Sequence, residues 1–106
     1  MSVEIKVNGE TLIAYLHGEI DHHTAGSMRQ AIDRAIERNM PSLLTLDFSG
    51  ITFMDSSGVG LVMGRYRNLA KTGARLCVAG TSPQIYKMMK LGGIERLATL
   101  ESGVYK

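Results

Sequence analysis

The feature that most constrains this chain is a repeated change of hydrophobic period. Val3, Ile5 and Val7 alternate with polar residues, the period-2 pattern of a half-buried strand. Asn8-Gly9 follows, a favoured pair for a type I′ hairpin turn, and residues 12–16 form a second apolar strand. After a polar junction over residues 18–24 the spacing turns helical. Ala25, Met28, Ile32, Ala35 and Ile36 fall on one face, with Thr24 as N-cap and Asn39 and Pro41 as stop signals. The switch is made twice more. Residues 43–48 read as a buried strand followed by a short loop, and Val59, Val62, Met63, Tyr66, Leu69 and Ala70 mark a second helix ended by Lys71 and Gly73. Residues 76–79 read as a strand. Ser82-Pro83 then opens a helix with Ile85, Met88 and Met89 inside, closed by Gly92-Gly93. Residues 94–100 add a short edge strand, and the last residues form a frayed tail.

The order is β-β-α-β-α-β-α with a short final strand. It implies one α/β domain over residues 1–106, with a mixed central sheet: an opening antiparallel hairpin, then mostly parallel strands packed with helices. The crossovers are expected to be right-handed. Loops at the C-terminal ends of parallel strands gather on one edge, where such sheets bind ligands. Residues 20–24, 53–57 and 80–83 qualify, and the expectation is one continuous polar patch.

Composition narrows the class. With 106 residues, 44% hydrophobic and 21% charged, the chain can bury a modest core and is not of disordered type. The net charge of +2 is too small to mark a nucleic-acid binder. Its distribution is uneven, −4 over residues 1–55 and +6 over residues 56–90, with the sign changing at Asp55-Ser56. The plain reading of these charges is solvated helix faces. One cysteine, Cys77, permits no internal disulfide and reads as a small buried hydrophobe. No apolar run is long enough to span a membrane, and Met1-Ser2-Val3-Glu4 lacks a signal-peptide layout, so a cytoplasmic protein with no membrane partner is expected.

Chemistry concentrates at the serines. Ser56 and Ser57 stand where a strand runs into a helix N-terminus, where free N–H groups favour an anion. One serine serves as the cap and the other is free to carry a phosphate, whose charge of about −1.5 to −2 the helix end favours and Asp55 opposes. Gly58, Gly60 and Gly64 each cost roughly 0.8–1 kcal/mol against Ala in a helix interior. Gly60, Leu61 and Gly64 point away from the stripe of Val59, Met63, Tyr66 and Ala70, leaving a flat strip where another backbone could approach. Other chemistries fit poorly. Adjacent His22 and His23 generally point differently, and no second cluster has zinc-site spacing. A triad from Ser56, His22 or His23, and Asp21 or Asp55 lacks the nucleophile elbow, since Met54-Asp55 precedes the serine. Gly58-Val59-Gly60 is an incomplete dinucleotide fingerprint, no P-loop is present, and no cofactor is implied.

Three segments together carry a resemblance: Gly18-Glu19-Ile20-Asp21-His22-His23-Thr24-Ala25, Phe53-Met54-Asp55-Ser56-Ser57-Gly58-Val59-Gly60, and Gly64-Arg65-Tyr66. The chain resembles the anti-sigma factor antagonists, which are STAS domains, and within them the sporulation-type antagonists of the anti-sigma F factor. The resemblance implies a non-enzymatic partner switch. The unphosphorylated form would bind an anti-sigma factor that is itself a serine kinase and release the sigma factor. Phosphorylation of Ser56 would end binding, and a dedicated phosphatase would reset the switch. Asp21 would contact a basic group on the kinase, and His22, Thr24, Met54, Asp55, Ser57, Gly58, Gly60, Leu61 and Gly64 would form the docking surface. A STAS sensor or scaffold module and a small hydrolase are the competing classes.

Overall fold

The computed structural model describes residues 2–101. The expected frayed tail, residues 102–106, lies outside the described residues. Strands β1 (Val3–Asn8) and β2 (Thr11–Ile20) form the antiparallel hairpin. Helix α1 (Ala25–Asn39), strand β3 (Leu43–Met54), helix α2 (Ser56–Ala70), strand β4 (Arg75–Ala79), helix α3 (Pro83–Leu91) and strand β5 (Thr99–Leu100) follow. The sheet order is β1-β2-β3-β4-β5, parallel from β2 onward. The crossovers join neighbouring parallel strands in one direction across the sheet, which with the usual right hand lays all three helices on one face. Burial agrees: Leu12, Ala14 and Leu16 of β2 and Leu44, Leu46 and Phe48 of β3 are buried, while the residues between them are half-buried.

Local chemistry explains most boundaries, with two corrections. The hairpin pairs Asn8 with Thr11, so the turn residues are Gly9 and Glu10, one position later than expected. Only Gly9, at φ 63°, is left-handed, which excludes a type I′ turn and fits type II′ with glycine first. Ser82 caps α3 as expected, its side chain accepting from the Ile85 N–H at 3.2 Å ahead of Pro83. Met28, Ile32, Ala35 and Ile36 are the buried face of α1.

The second correction concerns the middle of the sheet. Residues 49–52 are not a loop: β3 continues through them to Met54, and β2 continues to Ile20. Pairing shifts between Tyr15 and His17 and again between Gly18 and Glu19, each time with one extra residue on β3. Such bulges bend and twist a strand pair without ending it. Gly50 allows the first. A Cβ there would lie 2.5 Å from His17 Nδ1 and 2.8 Å from the Leu16 carbonyl oxygen. The β2–β3 ribbon therefore runs past β4, which pairs with β3 only as far as Asp47.

Candidate functional site

The extended ribbon delivers two chain segments to one place. The Asp55 N–H donates to the Ile20 carbonyl at 3.0 Å, so residues 21–24 lie beside residues 55–57. The loop at residues 80–83 reaches the patch only through Ser82, which lines a cavity with Phe53 and Met54. It packs against the middle of β3, where a Cβ on Gly80 would lie 2.6 Å from Asp47 Oδ1 and 2.8 Å from the Ser49 nitrogen. Because β4 ends opposite Asp47, its following loop is set back from the end of β3.

The capping differs from the sequence reading at both helices. At α2 neither serine is the cap. Asp55 is, with extended backbone, and its Oδ1 accepts from the Ser57 N–H at 2.8 Å. Ser56 becomes the first helical residue and is exposed. At α1, Thr24 makes no side-chain cap. Asp21 caps instead: its Oδ1 accepts from the N–H groups of His23 at 2.8 Å and Thr24 at 3.1 Å. The Thr24 hydroxyl donates to the Glu19 carbonyl at 2.8 Å and accepts from the Asp21 N–H at 3.0 Å. The Thr24 N–H above all, then the His23 N–H and the two nearby imidazoles, hold the Asp21 carboxyl below its ordinary pKa against partial desolvation. Asp21 is thus an ionised group fixed in orientation, half-buried at the rim of the site.

The expected docking residues divide into two layers. His22 and Gly60 are exposed, and Asp21, Thr24, Asp55, Ser57 and Gly64 are half-buried. Met54, Gly58 and Leu61 are buried, which corrects the reading of Leu61 as a surface residue. The buried stripe of α2 is Gly58, Leu61, Val62, Arg65 and Leu69, rotated from the one the apolar spacing predicts. The rotation follows from Gly58, whose missing side chain leaves room for the Met54 thioether.

Arg65, expected on a solvated basic face, has a side chain only 7% exposed. Its Nε lies 2.9 Å from Asp33 Oδ1 on α1, close enough for an ion pair, although the N–H is not aimed along the contact. Asn68 donates to the same oxygen at 3.0 Å. The pair joins α1 to α2 and crosses the charge boundary seen in the sequence. Between the two helices lies an open groove of about 310 Å³ lined by Arg29, Ser57, Gly60, Gly64, Arg65 and Arg67, among others. Arg29 and Arg67 were not singled out from sequence, since nothing in their spacing marks them as facing one another.

The other chemistries find little support in the geometry. The His22 and His23 rings do not diverge but stack at 3.9 Å between centroids, tilted by 38°. Among the described residues no third His, Cys, Asp or Glu completes a metal-binding group with them. Asp21 and Asp55 are both committed to backbone N–H groups. Cys77 is buried, and its thiol is pushed up to about 11 by burial and by Glu101, whose carboxylate lies 3.6 Å from Sγ.

Helices packed on a mixed sheet, with a capped serine junction at the ribbon end, define a small α/β module. The sequence matches the STAS domain across residues 2–106, and the chain belongs to the STAS domain family, among its anti-sigma factor antagonists. It is 38% identical over 88 residues to the anti-sigma F factor antagonist of Lysinibacillus sphaericus, covering 83% of this chain and 75% of that one. It is 31% identical over 97 residues to that of Paenibacillus polymyxa, covering 92% and 83%. The solved structure of the anti-sigma factor antagonist SpoIIAA in its unphosphorylated form is similar with TM-score 0.79 and 33% identity, over 94% of this chain and 88% of that one. The phosphorylated form of SpoIIAA, described as a Bacillus cell fate determinant, is similar with TM-score 0.72 and 33% identity, over 94% and 91%.

Proposed function

We propose that the chain is an anti-anti-sigma factor switched by phosphorylation of Ser56 in a sporulation-type circuit of the cytoplasm. Unphosphorylated, it binds its anti-sigma factor, a serine kinase, and releases the sigma factor. The kinase directs the Ser56 oxygen onto the γ-phosphorus of ATP. A new O–P bond forms, the bond to ADP breaks, and the hydroxyl proton passes to a base on the kinase. A phosphatase returns the serine by hydrolysis. The chain itself catalyses nothing in this cycle.

One observation carries the reading: Ser56 is the exposed first residue of α2, while Asp55 performs the cap. Phosphate can therefore be added without removing the bond that starts the helix. The helix end favours the added charge, and the adjacent Asp55 carboxylate, partly satisfied by the Ser57 N–H, opposes it. The similarity to SpoIIAA in both unphosphorylated and phosphorylated forms is consistent with a fold that tolerates the modification.

The test is incubation with the anti-sigma factor kinase of the same genome and ATP, read by mass spectrometry of the intact protein. One phosphoryl group is expected on the wild type and on Ser57→Ala, and none on Ser56→Ala. Stoichiometric labelling of Ser56→Ala would remove the site assignment. Ser56→Asp is expected to keep the fold and bind the kinase more weakly, and calorimetry giving an unchanged affinity would remove the switch.

A further inference from the structure

The groove between α1 and α2 carries a charge pattern that the proposed switch does not use. Three of its lining residues are the arginines Arg29, Arg65 and Arg67, and none of its lining residues is acidic. The neighbouring groove on the other side of Arg65 is different: there Asp33 and Glu37 stand with Arg65, Arg67 and Lys71, so its charges nearly balance. Asp33 meets Arg65 alone among the three arginines, leaving Arg29 and Arg67 without an ion-pair partner among the described residues. Both are exposed, whereas Arg65 is 6% exposed with Nε hydrogen-bonded to nothing. The three charges feel one another: burial chiefly lowers the Arg65 pKa, Asp33 opposes that, and Arg29 and Arg67 lower it further.

The groove is also kept open on its α2 side. A Cβ on Gly60 would meet nothing within 4 Å, and one on Gly64 would meet only the Arg67 guanidinium at 4.0 Å. The Arg67 guanidinium thus lies back along the helix beside Gly64, at the groove. A cationic cleft with a glycine wall and no acid of its own suits an acidic side chain carried by another backbone.

We infer that this groove receives an aspartate or glutamate side chain of the bound anti-sigma factor, held by Arg29 and Arg67 against the Gly60–Gly64 wall. The inference rests on the partner reading above and names a contact within it. It also gives the switch an electrostatic cause. Ser57 lines the groove and Ser56 precedes it, so a phosphate at Ser56 sets about −1.5 to −2 charges beside the acid-binding cleft. The phosphate repels the incoming carboxylate and competes for its arginines.

Calorimetry with the anti-sigma factor kinase tests the contact. Arg29→Glu and Arg67→Glu are each expected to weaken binding about tenfold, and the double variant about a hundredfold. Arg29→Lys with Arg67→Lys should retain most of the affinity, and Lys87→Glu on α3 should change nothing. Raising the salt concentration should weaken the wild type more than the double variant. Wild-type affinity in the double variant would overturn the inference while leaving phosphorylation of Ser56, assayed separately, intact. If the kinase neither binds nor labels the wild type, the partner reading fails on its own. The free protein then decides the groove, through titration with a capped tetraglutamate peptide at low salt, read on the arginine Nε–H signals. Saturable shifts at Arg29 and Arg67, lost in the double variant, are expected, and unsaturable or unchanged signals overturn the acid-binding groove.

Discussion

Gly58 and Gly60 stand two residues apart on α2 and have opposite reasons to lack a side chain. Gly58 is buried, and a Cβ there would fall onto the Met54 thioether at the end of β3. Gly60 is exposed, with open space where its Cβ would be. The first glycine is spent on packing the helix against the sheet. The second costs helix stability with no packing return, which points to an approaching partner. The same division holds along the helix: Leu61 and Arg65 are buried at the floor of the groove and Leu69 lies inside, while Gly60 and Arg67 are exposed at its edge. One amphipathic element thus carries a structural face and a recognition face, and composition alone does not say which is which.

Substitutions can break that contrast. Gly58→Val should have the largest effect, destabilising by about 3 kcal/mol through overpacking against Met54, checked by urea unfolding. A loss below about 1 kcal/mol would mean that Met54 swings aside and that the buried face is looser than described. Arg65→Ala should cost about 2 kcal/mol, less than a fully buried pair, because Asp33 is 30% exposed and rehydrates in part. An unchanged midpoint would move Arg65 to the recognition face. Gly60→Ala should act in the other direction, raising stability by about 0.8–1 kcal/mol while weakening the kinase complex. Stabilisation with unchanged binding would remove Gly60 from the docking surface.

A last test is a control on the sheet, away from both faces. Cys77 holds its proton to about 11 in the fold, against 9.0 for the free thiol. Between those values the unfolded chain loses the proton first, so stability attributable to Cys77 is complete below pH 9 and falls as pH rises toward 11. Cys77→Val should flatten the thermal midpoint over that window relative to wild type, and an equal slope in both proteins would sink the assignment.

Much of the fold was legible in the residues because period and punctuation agree. The cores of β1, β2 and α1, the Ser82-Pro83 start of α3 and its Gly92-Gly93 end all follow from local chemistry, which acts over a few residues. Residues 49–52 were not legible. Ser49-Gly50-Ile51-Thr52 has no clean alternation, and only the β2 ladder across from it makes it a strand. Capping was half legible. Asp, Ser and Thr all serve as N-caps, and the choice of Asp55 over Ser56, and of Asp21 over Thr24, depends on where the ribbon aims each segment.

The charge boundary at Asp55-Ser56 shows the same limit. The acid-rich first half and basic following stretch are properties of the order of residues, as are the element order and the serine at a strand-to-helix junction. Which charges meet is decided by the packing of α1 on α2. That packing takes Arg65 out of solvent to Asp33 and leaves Arg29 and Arg67 around an open groove. Local pattern sets what each segment becomes, because helix and strand formation depend on near neighbours. Electrostatic partners far apart in sequence are chosen by distances that exist only once the helices are laid on the sheet.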